Sequence, residues 1–318
     1  MKTHFEKSLV YLAMLCLMVV VTLSANADWF HDFEAPLPPS FMTQGLTLSG
    51  APSPTFESSV EGGFLTLSDS KTPKSGGSIF TLGAEMSEVF SDVRVTGTVN
   101  VSETTQNDLS LFARGDLDTL SAYVVSIDFI DGVVSIGKSI GGVMVDSAST
   151  HIKLPRLDTS YFVQFDVVGN QLASRVFNRE GGTQLLDVNY TDIGVGGPPF
   201  ISGVSGIVAS TESDEIMINA TFDNVSSTVI SETIIGSVKN AFTERNLYRA
   251  IVMTYNIKNK ETTIAHTNEG GYYEFLNLKP GIYLVLAIKK GYKTVVKTAE
   301  IVAGAGAMVD FMLTPKLE

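Results

Sequence analysis

Two strings in the chain match motifs that carry chemistry. Gly132-Val133-Val134-Ser135-Ile136-Gly137-Lys138-Ser139 fits the phosphate-loop pattern, and Gly137-Lys138-Ser139-Ile140-Gly141 fits the nucleophile-elbow pattern. Each device works where a strand turns into a helix, because the helix N-terminus presents free N–H groups to a phosphate or an oxyanion. Here the would-be loop is itself a β run, and Gly141-Gly142 stands where a helix would have to begin. Both strings therefore read as a hairpin. Beyond the first 27 residues the histidines are His31, His151 and His266, too few and too scattered for a metal triad or a Ser-His-Asp set. Arg114-Gly115-Asp116 spells an adhesive tripeptide, but at the end of a β run it reads as a turn. Catalytic residues are not assigned from these strings.

The surrounding composition narrows the chemistry further. The 318 residues carry a formal charge of −12, unevenly spread. Residues 1–27 carry +1, residues 28–228 carry −16 and residues 229–318 carry +3. An acidic body is repelled by phosphate backbones, so nucleic-acid binding is not expected. The single cysteine, Cys16, falls in the N-terminal apolar run. The remainder offers no disulfide framework, thiolate zinc site, iron–sulfur cluster or cysteine nucleophile. The start itself has Lys2 and Lys7, an apolar stretch from Leu9 to Leu23 and Ala25-Asn26-Ala27. That is the pattern of a secretory signal peptide cleaved after Ala27. The apolar stretch falls short of the roughly 20 residues of a membrane span, and no other window approaches one. A secreted, periplasmic or cell-surface address follows.

From Gly63 onward the chain is a series of short Val-, Ile-, Phe-, Thr- and Ser-rich runs. Val93–Val101 alternates apolar and polar residues at period 2, and Asp131-Gly132, Gly141-Gly142, Gly169-Asn170 and Gly181-Gly182 supply turns. Helical periodicity is absent. Many short strands point to an all-β sandwich or barrel. Ala35–Pro54, with Pro36, Pro38, Pro39 and Pro52, reads as loop. The pattern breaks at Ser226-Ser227-Thr228 and restarts at Ile234. The expected organisation is signal peptide 1–27, one domain over 28–228 and a second over 229–318.

In the second domain, Thr267-Asn268-Glu269-Gly270-Gly271-Tyr272-Tyr273-Glu274-Phe275 precedes Leu278-Lys279-Pro280-Gly281-Ile282-Tyr283 and Lys290-Gly291-Tyr292. Asn268–Gly271 makes a tight turn, and Pro280-Gly281 a second one that places Tyr273, Phe275 and Tyr283 together on a core face. This string resembles the carboxypeptidase regulatory-like family, implying a seven-stranded transthyretin-like β-sandwich. The resemblance implies a non-catalytic folding, spacing or binding unit. It brings no peptidase chemistry, because the domain has one histidine and no His/Glu zinc arrangement.

Residues 28–228 resemble the concanavalin A-like or laminin-G-like jelly roll. The resemblance rests on Trp29-Phe30-His31-Asp32-Phe33-Glu34, Val93–Val101, Leu111-Phe112-Ala113-Arg114, Ser121–Ile127, Gly203–Ile207 and Ala220–Val225. It implies paired first and last strands and, beside them, a structural Ca²⁺ held by Asp32, Glu34 and Asp223; no other cofactor is required. Glucanases of this fold use Glu-x-Asp-x-Glu on one strand. The nearest string here, Glu212-Ser213-Asp214-Glu215-Ile216, has Ile in the last position. The resemblance favours a secreted, non-catalytic protein that binds carbohydrate or cell-envelope glycan. The alternatives are a glycan-active hydrolase using Asp116, Asp118 or Asp128, and a structural or adhesive surface protein.

Overall fold

The structure is a computed structural model that describes residues 28–47, 51–101, 107–128, 131–151, 159–211, 213 and 215–316. The expected signal peptide, Cys16 and the cleavage site after Ala27 lie outside these residues, as do Glu212 and Asp214. Among the described residues the only helical element is one 3₁₀ turn at Pro73–Ser75, and no helix is long and apolar enough to cross a membrane. The chain forms two compact units, one of residues up to Gly181 with Val188–Val229, the other of Gly182–Asp187 with Ile230 onward.

The first unit is a jelly-roll sandwich of two antiparallel sheets. Its strands are β1 (Trp29–His31), β2 (Phe41–Thr47), β3 (Phe56–Glu61), β4 (Phe64–Asp69), β5 (Ser78–Phe90), β6 (Val93–Val101), β7 (Asp108–Asp116) and β8 (Ser121–Asp128). They continue as β9 (Val133–Ile140), β10 (Val143–His151), β11 (Thr159–Val168), β12 (Gln171–Phe177), β13 (Gln184–Thr191, of which only Val188 onward belongs to this unit), β14 (Gly203–Ser210) and β15 (Asn219–Val229). One sheet runs β13-β12-β11-β6-β15-β4-β3, with β1 added beside β15. The other runs β10-β9-β8-β7-β14-β5-β2. The first and last strands pair as the resemblance implies, Trp29 opposite Ser227. Alternation sorts the side chains. Val93, Val95 and Val99 of one sheet and Leu109, Leu111, Ile127 and Ile207 of the other are buried between the layers. Ser205 and Ser227 join the layers by a buried hydroxyl pair at 2.6 Å.

Two expectations need correction. Phe41–Thr47 lies in the stretch read as loop, yet it forms β2 along β5. The prolines flank the run instead of interrupting it. Gly45 is needed inside it, since a Cβ there would meet the Ser78 hydroxyl and the Phe56 ring at 2.3 and 2.7 Å. The opening strand ends at His31, before Phe33 takes a positive φ of 52°. The closing strand spans Asn219–Val229.

The second unit is a transthyretin-like sandwich. Its strands are β16 (Ile234–Asn240), β17 (Ile251–Asn256), β18 (Thr262–His266), β19 (Tyr272–Phe275), β20 (Gly281–Ile288), β21 (Val295–Ile301), β22 (Ala307–Met308) and β23 (Phe311–Leu313). One sheet runs β18-β17-β20-β21. In the other, β16 pairs with β19 on one side and in parallel with β22 and β23 on the other. β22 and β23 act as one interrupted strand, which gives the seven expected. Gly271 takes the left-handed φ of +70° that the tight turn requires, and its N–H donates to the Asn268 carbonyl at 2.9 Å. Tyr273, Phe275 and Tyr283 meet in one apolar core with Val238, Val285 and Phe311.

Candidate functional site

The seven-stranded sheet presents its outer face as a chemically divided surface. Registered pairs carry one row across all seven strands: Gln44, Leu82, Val208, Ser110, Ser126, Ser135 and Ser149. The next row reads Met42, Ala84, Gly206, Phe112, Val124, Gly137 and Ser147. Apolar side chains therefore concentrate on β2, β5, β14 and β7, interrupted by Gln44 and Ser110, and hydroxyls on β8, β9 and β10, interrupted by Val124. Leu82, Ala84 and Phe112 form the buried floor, with Met42, Phe80, Val124 and Val208 half-buried against it. Ser110 donates to Ser126 at 2.9 Å, and Ser135 to Ser149 at 3.3 Å. Asp108 and Asp128 flank the registered pair Leu109–Ile127 at one end of this face. The sheet is curled: a Cβ at Gly142, in the β9–β10 turn, would stand 3.7 Å from the Phe80 ring on β5. Gly206 keeps the floor low, because a Cβ there would meet the Gly83 carbonyl at 2.0 Å.

The motif lysine does structural work on the opposite face. Lys138 lies in mid-strand in β9 and is fully buried, so the phosphate-loop pattern is a strand, as the sequence indicated. Its ammonium donates to the carbonyls of Gly197 and Pro198 at 2.7 Å each and pairs with Asp192 at 3.1 Å. It also sits 4.9 Å over the Phe200 ring. Tyr123 donates to Asp192 at 2.7 Å and accepts the Phe200 N–H at 2.9 Å. Burial raises the pKa of Asp192. The bonds from Tyr123, the Gly194 N–H and Lys138, with the lysine charge, more than offset that and hold it below the usual carboxylate range. Burial and the bond to Asp192 push the Tyr123 phenol well up.

Arg114 anchors the same segment from its other end. It occupies a bulge in β7 with φ 51°, and only 3% of it is exposed. It donates to the carbonyls of Ser91, Gly169 and Phe200 and pairs with Asp92 at 2.9 Å. Burial lowers its pKa, against the raising effect of the Asp92 charge. An arginine spent on these bonds cannot serve an adhesive tripeptide. Together Lys138, Tyr123 and Arg114 fasten the Gly- and Pro-rich segment after Asp192, which holds Ile193 and Ile201 in solvent at 80% and 81% exposure. No sequence motif announced this cluster. Its one local sign was an aspartate opening a Gly/Pro-rich loop.

The remaining sequence candidates separate clearly. Asp116 is exposed and accepts the N–H groups of Asp118 and Thr119, while Asp128 accepts that of Asp131. These carboxylates organise turns. Glu215 pairs at the surface with Lys74. Trp29 is buried beside His31 and Phe41, and Tyr161 is core. Asp32, Glu34 and Asp223 do come within electrostatic reach of one another. Burial raises the Asp223 pKa, and the charges of Asp32, Glu34 and Glu180 raise it further. Asp32 accepts the Glu34 N–H at 3.2 Å, and Asp223 accepts both N–H groups of Asn224. Among the described residues no three His, Cys, Asp or Glu side chains group so as to hold a metal ion. The three carboxylates repel across a patch and do not form a preformed cage.

Comparison with known proteins finds similarities for both parts of the chain. Residues 233–314 match the family described as carboxypeptidase regulatory-like domain. No curated protein matches the chain. Among solved structures, the chain is similar to the carbohydrate-binding module CBM66 from Bacillus subtilis, at 16% identity and TM-score 0.40, covering 59% of this chain and 95% of that one. It is similar to winged bean acidic lectin complexed with methyl-α-D-galactose, at 12% identity and TM-score 0.45, covering 64% and 98%. A prokaryotic β-1,3-1,4-glucanase from a mouse hindgut metagenome matches at 11% identity and TM-score 0.45, covering 63% and 98%.

Proposed function

We propose that the jelly-roll unit is a non-catalytic carbohydrate-recognition module of an exported protein, and that the curled outer face of its seven-stranded sheet is the binding surface. The observation that carries this reading is the division of that face. A sugar ring presents an apolar C–H face and a rim of hydroxyls, and it needs both kinds of contact at once. Phe80, Val208 and Val124, on β5, β14 and β8, provide the apolar contact, and Ser126, Ser135 and Ser149, on β8, β9 and β10, provide donors and acceptors. Export, with cleavage after Ala27, belongs to the same proposal, and N-terminal sequencing of the exported protein should begin at Asp28. A structural Ca²⁺ on Asp32, Glu34 and Asp223 is proposed with it, since a divalent cation would offset the repulsion around Asp223.

The test is a glycan array probed with the exported chain, with and without Ca²⁺, followed by calorimetry on the best hit. Binding should fall at least about tenfold in Phe80→Ala and in Ser126→Val, a loss of the size expected when one packing or hydrogen-bonding contact goes. An array without signal, or affinity indifferent to both substitutions, removes the proposal.

A further inference from the structure

The second unit leaves one sheet face uncovered, and its residues are arranged in a self-complementary way. In the sheet β18-β17-β20-β21, Val252, Thr254, Val285 and Ala287 point to the core and are buried. The alternate positions form rows on the outer face. One row, fixed by registered pairs, is Ile264, Met253, Leu286 and Val296, apolar from edge to edge. Ile264 and Val296, at its ends, are 58% and 52% exposed. A second row is Lys260, Ile257, Ile282 and Glu300. Ile282 is registered with Glu300, and the Ile257 N–H donates to the Ile282 carbonyl at 3.0 Å. The Lys260 ammonium is 5.7 Å from the centre of the Tyr255 ring, which brings it over this same face. This row has a cation at one edge, a carboxylate at the other and two exposed isoleucines between them.

We propose that this face is the interface of a homodimer, covered by the same face of a second copy of the chain. A two-fold axis in the interface, parallel to the strands, exchanges the two edges of the sheet. It lays Ile264 over Val296 of the second copy and Met253 over its Leu286. The same operation sets Lys260 against Glu300 of the second copy, twice over. An isologous contact requires such self-complementarity, and aligned sheets pack face to face about 10 Å apart with side chains interdigitating. Four strands and four rows span about 20 Å by about 20 Å. That footprint, about 400 Å² on each copy and about 800 Å² in total, lies below the roughly 1,200 Å² of stable specific dimers, so a weak dimer in the tens of micromolar is expected.

Sedimentation velocity on the full exported chain, from about 1 to about 100 µM, reads the outcome across the affinity range of a small interface. The wild type should pass from monomer to dimer over this range. Ile264→Lys should remain monomeric with an unchanged far-UV circular dichroism spectrum. Lys260→Glu and Glu300→Lys should each weaken association, and the two together should restore it. A wild type that stays monomeric throughout overturns the proposal. So does a dimer indifferent to Ile264→Lys, or a charge exchange that fails to restore association.

Discussion

The two sandwiches solve the problem of polar groups in a β core differently. The jelly-roll unit buries whole ionic clusters: Lys138 with Asp192, Arg114 with Asp92, and Asp166 between Arg94 and Arg175. In the described residues from Ile230 onward the buried polar side chains are Thr233, Ser237, Thr254, Asn256 and Thr267, all uncharged. Most of them satisfy turns and loop carbonyls, as when Thr267 donates to the Leu247 carbonyl and accepts the Ala250 N–H, while the Thr254 hydroxyl makes no hydrogen bond among the described residues. A wide sandwich has open ends and long loops, and buried charges fix those loops in one position. The narrow one closes on its apolar side chains, and among its described residues the buried polar side chains are neutral, with Ser237 donating to the Asp310 carboxylate. Fixing loops by charge makes stability depend on every partner being present.

The sharpest way to break this contrast is to remove one charge. Lys138→Met leaves Asp192 buried without its cation and should cost about 3–5 kcal/mol. Trp29, the only tryptophan, lies buried in the jelly-roll unit, so its fluorescence in a urea titration reports on that unit. The paired change Lys138→Met with Asp192→Asn should recover much of the loss. In the smaller sandwich, Phe311→Ala should cost a similar 3–5 kcal/mol, through an apolar cavity and with little dependence on salt. A Lys138→Met cost below about 1 kcal/mol would mean that the buried pair is not holding the loop.

Acid should separate the units next. Burial raises the Asp69 pKa, but hydrogen bonds from Thr55, Ser53, Ser78 and the Lys71 N–H bring it down to about 2. Asp166, opposed by burial but held by Arg94 and Arg175, also lies low, and so does Glu85 through its bonds to Ser87, Ser40 and His31. A carboxylate whose folded pKa is depressed stabilises the fold above its unfolded value of about 4. That contribution is lost as pH falls through the folded value. The Trp29 signal should therefore move to lower urea midpoints between about pH 4 and pH 2. The neutral polar groups buried in the smaller unit contribute no such slope. Equal acid sensitivity in both units would contradict the comparison.

The smallest effect concerns Asp223. Its raised pKa means that the folded state disfavours the ionised form, a penalty that sets in as pH rises through the folded value and persists at pH 7. Asp223→Asn should raise Tm slightly at neutral pH, and Ca²⁺ should raise the Tm of the wild type but not of this variant. Calorimetry in which Ca²⁺ shifts both proteins equally, or neither, would discard the three carboxylates as its site.

Local pattern was enough for much of the fold. The alternation in Val93–Val101 is strand β6 to the residue, and the Asn268–Gly271 turn and the Tyr273–Phe275–Tyr283 core are present as read. β2 escaped because prolines on both sides outweighed a short run whose only evidence is its pairing with β5, some forty residues away. The candidate face was illegible for the same reason. Leu82, Val208, Ser110 and Ser126 become neighbours only when β5, β14, β7 and β8 lie side by side. Asp116 and Asp128 looked available in one dimension, and each proved to accept an N–H of its own turn.

The amino-acid sequence by itself determined the all-β class, the restart at Ile234, the acidic and basic halves and the absence of helix-borne motifs, because period-2 alternation, turn residues and charge are local properties. Tertiary structure decided what the charges do and which side chains meet. Lys138 in a phosphate-loop string and Arg114 in an adhesive tripeptide became buried anchors, and rows of serine, isoleucine and leucine became surfaces. Strand register between distant segments sets those outcomes, and the long-range pairing that fixes register leaves no mark in any short window of the chain.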